Sequence, residues 1–237
     1  MQKKSAKLTV ISIILLLIVA PLCVALQFKL FGSKNYYISA AIVIFLSMIP
    51  FFVFYENRKI KTGEIVLTAM IIAICVSSRA IMAFIPQVKA TCAIVIVTAI
   101  AFGPNVGFIT GSLSMFVSNF LFGQGMFTPF QMLGMGLTGF LCGLIFYRKS
   151  YNTDPILVST VGAVICFFVY GFIVDSCSVL MMVTEFTPKA VLSVYASGVT
   201  FNLIHAVTTA VLLFFINKPM TDKFTRLRVK YGIFELE

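Results

Sequence analysis

Eight apolar runs, at residues 8–29, 36–55, 63–85, 88–103, 107–122, 130–147, 155–183 and 191–216, dominate this 237-residue chain. Most approach the roughly 20 residues a helix needs to cross a hydrocarbon layer about 30 Å thick. They are rich in Leu, Ile, Val, Phe and Ala and do not alternate polar with apolar residues, so they read as membrane helices and not as strands of a barrel. With 60% of residues hydrophobic, 11% charged and a mean hydropathy of +1.04, a single soluble core of this size has no room for them. The breaks between runs carry helix-ending chemistry: residues 32–35, the charged stretch 56–61, Pro86, Gly103 with Pro104, the glycines at 123 and 125 with Pro129, the polar stretch 148–154, and Thr187 with Pro188. The run at 88–103 is short for a full crossing. It is expected to be bent or partly re-entrant, which is tolerated only where neighbouring protein covers the backbone.

The charges fix an expected topology. If the N-terminus is cytoplasmic, thirteen of the 18 cations fall inside (Lys3, Lys4, Lys7, Arg58, Lys59, Lys61, Arg148, Lys149, Lys218, Lys223, Arg226, Arg228, Lys230) and four outside (Lys29, Lys34, Lys89, Lys189), with Arg79 within a span. That asymmetry holds only for an even number of crossings, so both termini are expected in the cytoplasm. The first run exceeds a usual secretory h-region and no clear A-x-A site follows it, so it reads as a retained span. The break at 56–61 divides the chain into an N-terminal two-helix hairpin, residues 1–58, and a six-helix core, residues 59–237. The hairpin has almost no polar residue within its helices and reads as a lipid-facing accessory. The net charge of +10 lies in short inter-span segments with no soluble face to carry it, which excludes nucleic acid as the partner in favour of the bilayer. The six cysteines (Cys23, Cys75, Cys92, Cys142, Cys166, Cys177) are scattered singly without metal-site or disulfide spacing and read as small buried hydrophobes.

Polar groups inside a membrane are costly and mark candidate function. Arg79, Asn119, Gln131 and Asp175 all fall toward the expected outer side, where the loops carry Gln87, Lys89, Gln124 and Phe127. Glycines at 123 and 125 allow close backbone approach to a ligand, and Pro129 limits the chain before the next helix. Aromatic walls from Phe84, Phe127, Phe130 and Tyr170 complete the usual composition of a small-molecule pocket. Arg79 snorkelling to headgroups, or pairing with Asp175, is the competing account. Asn202 and His205 share a helix face near mid-membrane, where they either line the pocket floor or bond between helices. The candidate substrate-binding set is therefore Arg79, Lys89, Asn119, Gln124, Phe127, Gln131, Asp175 and Asn202. No metal site, HExxH, GxSxG, paired intramembrane carboxylates or P-loop occurs, so the chain does not read as an enzyme and carries no cofactor of its own.

Two small-residue stripes stand out. Ala69 and Ala73 form a small-xxx-small pair on the expected cytoplasmic half of the 63–85 run, and Gly134, Gly136, Gly139 and Gly143 form another that suits packing within the fold. Three classes remain open on these residues: the binding subunit of an importer, a self-sufficient carrier or channel, and an assembly protein without a ligand. A coupled carrier favours paired membrane carboxylates, and a channel a polar stripe through both leaflets. An assembly protein favours polar groups that pair only with one another. No internal repeat is visible, which weighs against a carrier of duplicated halves.

From Thr62 to Tyr147 the chain resembles the substrate-binding S components of energy-coupling factor (ECF) transporters. The resemblance rests on the Ala69/Ala73 pair, the segment Ala83-Phe84-Ile85-Pro86-Gln87-Val88-Lys89, the turn Phe102-Gly103-Pro104-Asn105-Val106-Gly107-Phe108, and above all the run from Ser118 through Gly123-Gln124-Gly125-Met126-Phe127-Thr128-Pro129 to Met132. It implies an all-α, polytopic six-helix core that binds a vitamin or related micronutrient from outside, in the plasma membrane of a prokaryote. It also implies docking, through Ala69 and Ala73, on a transmembrane T component that carries two cytoplasmic ATPases, so that ATP is used by the partners. The N-terminal hairpin departs from the usual six-helix pattern.

Overall fold

The computed structural model describes Leu22 and residues 61–86, 88–147, 154–183 and 187–234. Apart from Leu22, the expected hairpin lies outside the described residues. All regular elements within them are helical: α1 (Thr62–Ile81), a short 3-10 turn (Met82–Phe84), α2 (Thr91–Phe102), α3 (Pro104–Phe122), α4 (Phe127–Phe146), α5 (Pro155–Ile165), a π-helical segment (Cys166–Gly171), α6 (Phe172–Met182) and α7 (Pro188–Tyr231). The α5–π–α6 stretch is one continuous rod, and it and four other helices, Thr62–Phe84, Pro104–Phe122, Phe127–Phe146 and Pro188–Tyr231, are long and apolar enough to cross a membrane. The chain is a multi-pass membrane protein.

The starts and stops follow from sequence. Pro104, Pro155 and Pro188 each open a helix, where the missing N–H costs nothing. The Asp154 carboxylate accepts from Ile156 N at 3.0 Å and the Thr187 hydroxyl from Ala190 N at 3.2 Å, capping α5 and α7. Gly103 joins α2 to α3 at φ 103°, a backbone conformation that glycine takes without steric cost.

The short run is covered by neighbouring helices as expected, but it forms one 12-residue α-helix. All residues of α2 are buried, and it spans about 18 Å, too little for a crossing. It sits inside the bundle, sheltered by α1, α3, α4 and α7. One boundary differs from the sequence reading. The sequence bounds the last run at 216, but α7 runs 44 residues from Pro188 to Tyr231, because residues 218–230 keep an amphipathic face. Thr221 and Phe224 on that face are buried, and Phe224 and Phe234 flank the Phe102 ring at 5.1 and 4.7 Å. Arg228 Nη1 donates to Ala101 O at 3.1 Å, and Phe234 N to Glu64 Oε1 at 2.7 Å. The end of α7 is thereby fastened to the end of α2 and the start of α1.

The glycine stripe of α4 is used within the fold: Gly136, Gly139 and Gly143 face α3, and Gly134 faces Tyr170 and Ile173. A Cβ at Gly139 would lie 2.6 Å from Gly107 O and 2.7 Å from Val95 Cγ1, and one at Gly143 2.6 Å from Pro104 Cα. Backbone on the facing helix leaves no soft atom to yield. Gly139→Val is expected to cost about 3 kcal/mol, read as a lower thermal midpoint in detergent. An unchanged midpoint would show that the α3–α4 contact is looser than drawn.

Candidate functional site

The antiparallel order of α1 to α4 brings the end of α1, the start of α2, the end of α3 and the start of α4 to one end of the bundle. Arg79 sits there on the last turn of α1, 8% exposed. Its Nη1 donates to Asn119 Oδ1 at 2.8 Å and to Ser118 Oγ, with Met115 Sδ at 3.8 Å. Its guanidinium lies 4.9 Å from the centre of the Phe122 ring, a cation–π distance. Asn119, fully buried, donates through Nδ2 to Thr128 Oγ1 and Gln131 Oε1, both at 3.0 Å. The Thr128 hydroxyl donates to Gln124 Oε1 at 3.0 Å, and Gln124 Nε2 reaches Phe116 O at 2.9 Å. Arg79, Asn119, Gln124 and Gln131 thus form one connected network, with Ser118 and Thr128 as links the sequence reading missed. Their signal was available: Ser118 adjoins Asn119, and Thr128 lies three residues before Gln131, on the same helix face.

The network ties the α3–α4 loop to α1. Gly123 at φ 97° starts that loop, and Gly125 N donates to Thr128 Oγ1 at 3.2 Å, closing it onto the first turn of α4. Phe127 is half-buried beside it. Two of the expected aromatic walls are placed differently. Phe84 is 93% exposed, carried outward by the 3-10 turn, and Phe130 is packed in a hydrophobic cluster with Phe108, Leu133 and Phe140. Tyr170 is buried, its ring edge-on to His205 at 5.1 Å.

Asp175 does not pair with Arg79. Its Oδ2 accepts from Asn202 Nδ2 at 2.6 Å, between α6 and α7. Glycines let those helices close on the pair: a Cβ at Gly198 would lie 2.5 Å from Asp175 Oδ1, and one at Gly171 2.7 Å from Asn202 Cγ. Among the described residues no hydrogen bond joins this pair to the Arg79 network. Among the described residues Arg79 has no carboxylate partner; its hydrogen bonds run to the neutral Ser118 Oγ, Asn119 Oδ1 and Met115 Sδ. A buried cation without a counter-ion keeps a strong demand for acceptors.

Lys89, half-buried in the segment between α1 and α2, adds to that demand. Burial, and then the nearby Arg79 guanidinium, lower its ammonium to about 8. The folded chain therefore holds this proton less tightly than the unfolded chain, so stability is expected to rise with pH from about 8 to the ordinary lysine range near 10.5. Lys89→Met should flatten that rise in a series of melting curves. A rise that persists in the variant would assign it to other groups.

Along the middle of α1, Ala69 and Ala73 are both exposed, one turn apart. Ile65, Val66, Met70 and Ile74 beside them are 50–58% exposed. That strip of α1 is apolar, exposed and small-sided at its centre.

The described bundle is helical, long and apolar enough to span a membrane, and carries a connected polar cluster around the cation Arg79 at one end. Residues 59–222 match the family model of the ECF-type riboflavin transporter, S component, which covers most of the chain and the whole described bundle up to the last part of α7. The chain belongs to that family: it is a substrate-capturing membrane component of an ECF transporter, and the family is one of transport subunits, not enzymes. No curated protein and no solved structure matches it.

Proposed function

We propose that this protein captures riboflavin or a closely related flavin from outside the cell and delivers it to an ATP-driven ECF importer in a prokaryotic plasma membrane. The buried guanidinium of Arg79, which among the described residues bonds to neutral acceptors, carries the reading. A flavin ring offers carbonyl and imine acceptors to Arg79 and Lys89, a flat apolar face for Phe127, and chain hydroxyls for the amides of Gln124 and Gln131. The description of the matching family, a riboflavin transporter S component, supports the same ligand class. Asp175 and Asn202 belong to the proposed site as its α6–α7 wall. The proposed partners are a transmembrane T component, met through the Ala69/Ala73 strip, and two cytoplasmic ATPases that use the ATP, while this chain holds no cofactor.

Mass spectrometry of small molecules released from the detergent-purified full chain tests the reading, since a tight binder carries its ligand through purification. A flavin near one per chain is expected. If the chain is empty and added riboflavin keeps its full fluorescence at micromolar protein, the flavin assignment fails. A different bound solute would move the substrate and leave the transport role in place.

A further inference from the structure

Three side chains from three separate helices meet beneath this site. Cys92 stands on the first turn of α2, Cys166 begins the π segment, and His205 lies midway along α7. Both Sγ atoms and one imidazole nitrogen lie within 4.8 Å of one another. The residues are 0%, 1% and 3% exposed. His205 Nε2 is buried with no hydrogen-bond partner, a state that costs about 1–3 kcal/mol. The groups around it hold the arrangement: the Tyr170 ring meets the imidazole at 84°, and Thr209 donates to His205 O at 2.8 Å and lies 3.7 Å from Cys166 Sγ. Single-turn π segments frequently mark functional positions in helices, and this one carries both Cys166 and Tyr170.

We propose that Cys92, Cys166 and His205 form a binding site for a thiophilic divalent cation of the zinc class. Two thiolates and a neutral imidazole are the donors such a cation takes, and three protein ligands is the number found where zinc keeps a fourth position open. Binding releases two protons, one from each thiol, so the dication and two thiolates enter the bundle with no net charge. That neutrality is what permits the site in an apolar interior, where an isolated ion would be excluded. Ligand bonds of about 2.3 Å to sulfur and about 2.0 Å to nitrogen require the three atoms to draw together by about 1 Å. A cation held through Nε2 also supplies that atom's missing partner. The site is independent of the flavin assignment, since none of its ligands belongs to the Arg79 network.

Titration of the reduced, detergent-purified full chain with Co²⁺ under anaerobic conditions tests the proposal. One Co²⁺ per chain is expected, with sulfur-to-metal charge-transfer absorption and displacement by one equivalent of Zn²⁺. Cys92→Ser and Cys166→Ser should each weaken the charge-transfer band and together remove it, His205→Ala should weaken binding by more than the ~10–100-fold that loss of an outer-shell partner costs, and Cys75→Ser should leave both unchanged. A spectrum without thiolate charge transfer, or one that survives in the Cys92→Ser/Cys166→Ser double variant, overturns the site. A second measurement needs no variant. Bound Zn²⁺ should slow alkylation of Cys92 and Cys166 at least tenfold relative to Cys75 and Cys142, and equal slowing of all four, or of none, overturns it too.

Discussion

Ala69→Trp and Ala73→Trp are each expected to abolish ATP-driven uptake while leaving flavin binding by the isolated chain unchanged. Both alanines are exposed on α1, one turn apart, within an apolar strip that no other described helix covers. A small-xxx-small pair lets another helix approach to backbone contact, and an indole there holds it several ångströms away. Both methyls are exposed in the described bundle, so a larger side chain there is expected to leave the fold intact. Uptake by vesicles or cells, set beside flavin fluorescence quenching by the purified variant, separates the two functions. Transport surviving both substitutions would remove this strip from the docking surface. Loss of binding along with transport would show that the strip reports on the fold instead.

The second large effect is expected at Arg79. Arg79→Ala removes the guanidinium shared by Ser118 and Asn119 and should weaken flavin affinity by ~10–100-fold, the worth of one or two hydrogen bonds to a charged group. Gln131→Ala, at the neutral end of the network, should cost less, near tenfold. The competing structural account assigns Arg79 only to tying α1 onto α3. It predicts the opposite pattern: thermal midpoint and yield of folded protein falling as far as affinity. Isothermal titration with riboflavin beside a melting curve of the same preparation distinguishes the two. Arg79→Lys sharpens the comparison, since it keeps the charge but loses the planar fork that reaches two acceptors.

Much of the site was legible before any coordinate. Arg79, Asn119 and Gln131 stand out because polar residues in apolar spans are rare, Gln124 because it lies in the glycine-flanked loop between two spans, and their positions relative to the helix breaks put them at one end. The pairing within the site was not legible. Sequence offers Asp175 as a natural partner for Arg79, but the carboxylate turns to Asn202 across a glycine-lined α6–α7 contact. Phe84 was expected to wall the pocket, yet a 3-10 turn after Ile81 points it away from the protein. Neither outcome is encoded in residues near the one concerned.

The sequence by itself determined that the chain is a helical membrane protein, with most ends of its described helices. These follow from local periodicity, capping chemistry and the cost of placing polar groups in hydrocarbon, each readable within a window of about 20 residues, whereas the transporter class came from the resemblance to ECF S components, above all in the run from Ser118 to Met132. The tertiary structure alone decided which side chains meet. It joined Arg79 to Ser118 and Asn119, Asp175 to Asn202, and Cys92 to Cys166 and His205, residues 39 to 40, 27, and 74 to 113 positions apart. Such contacts depend on how helices rotate and slide against one another. Here that is set by backbone approach at Gly107, Gly139, Gly171 and Gly198, which a single sequence shows only as small residues in a row.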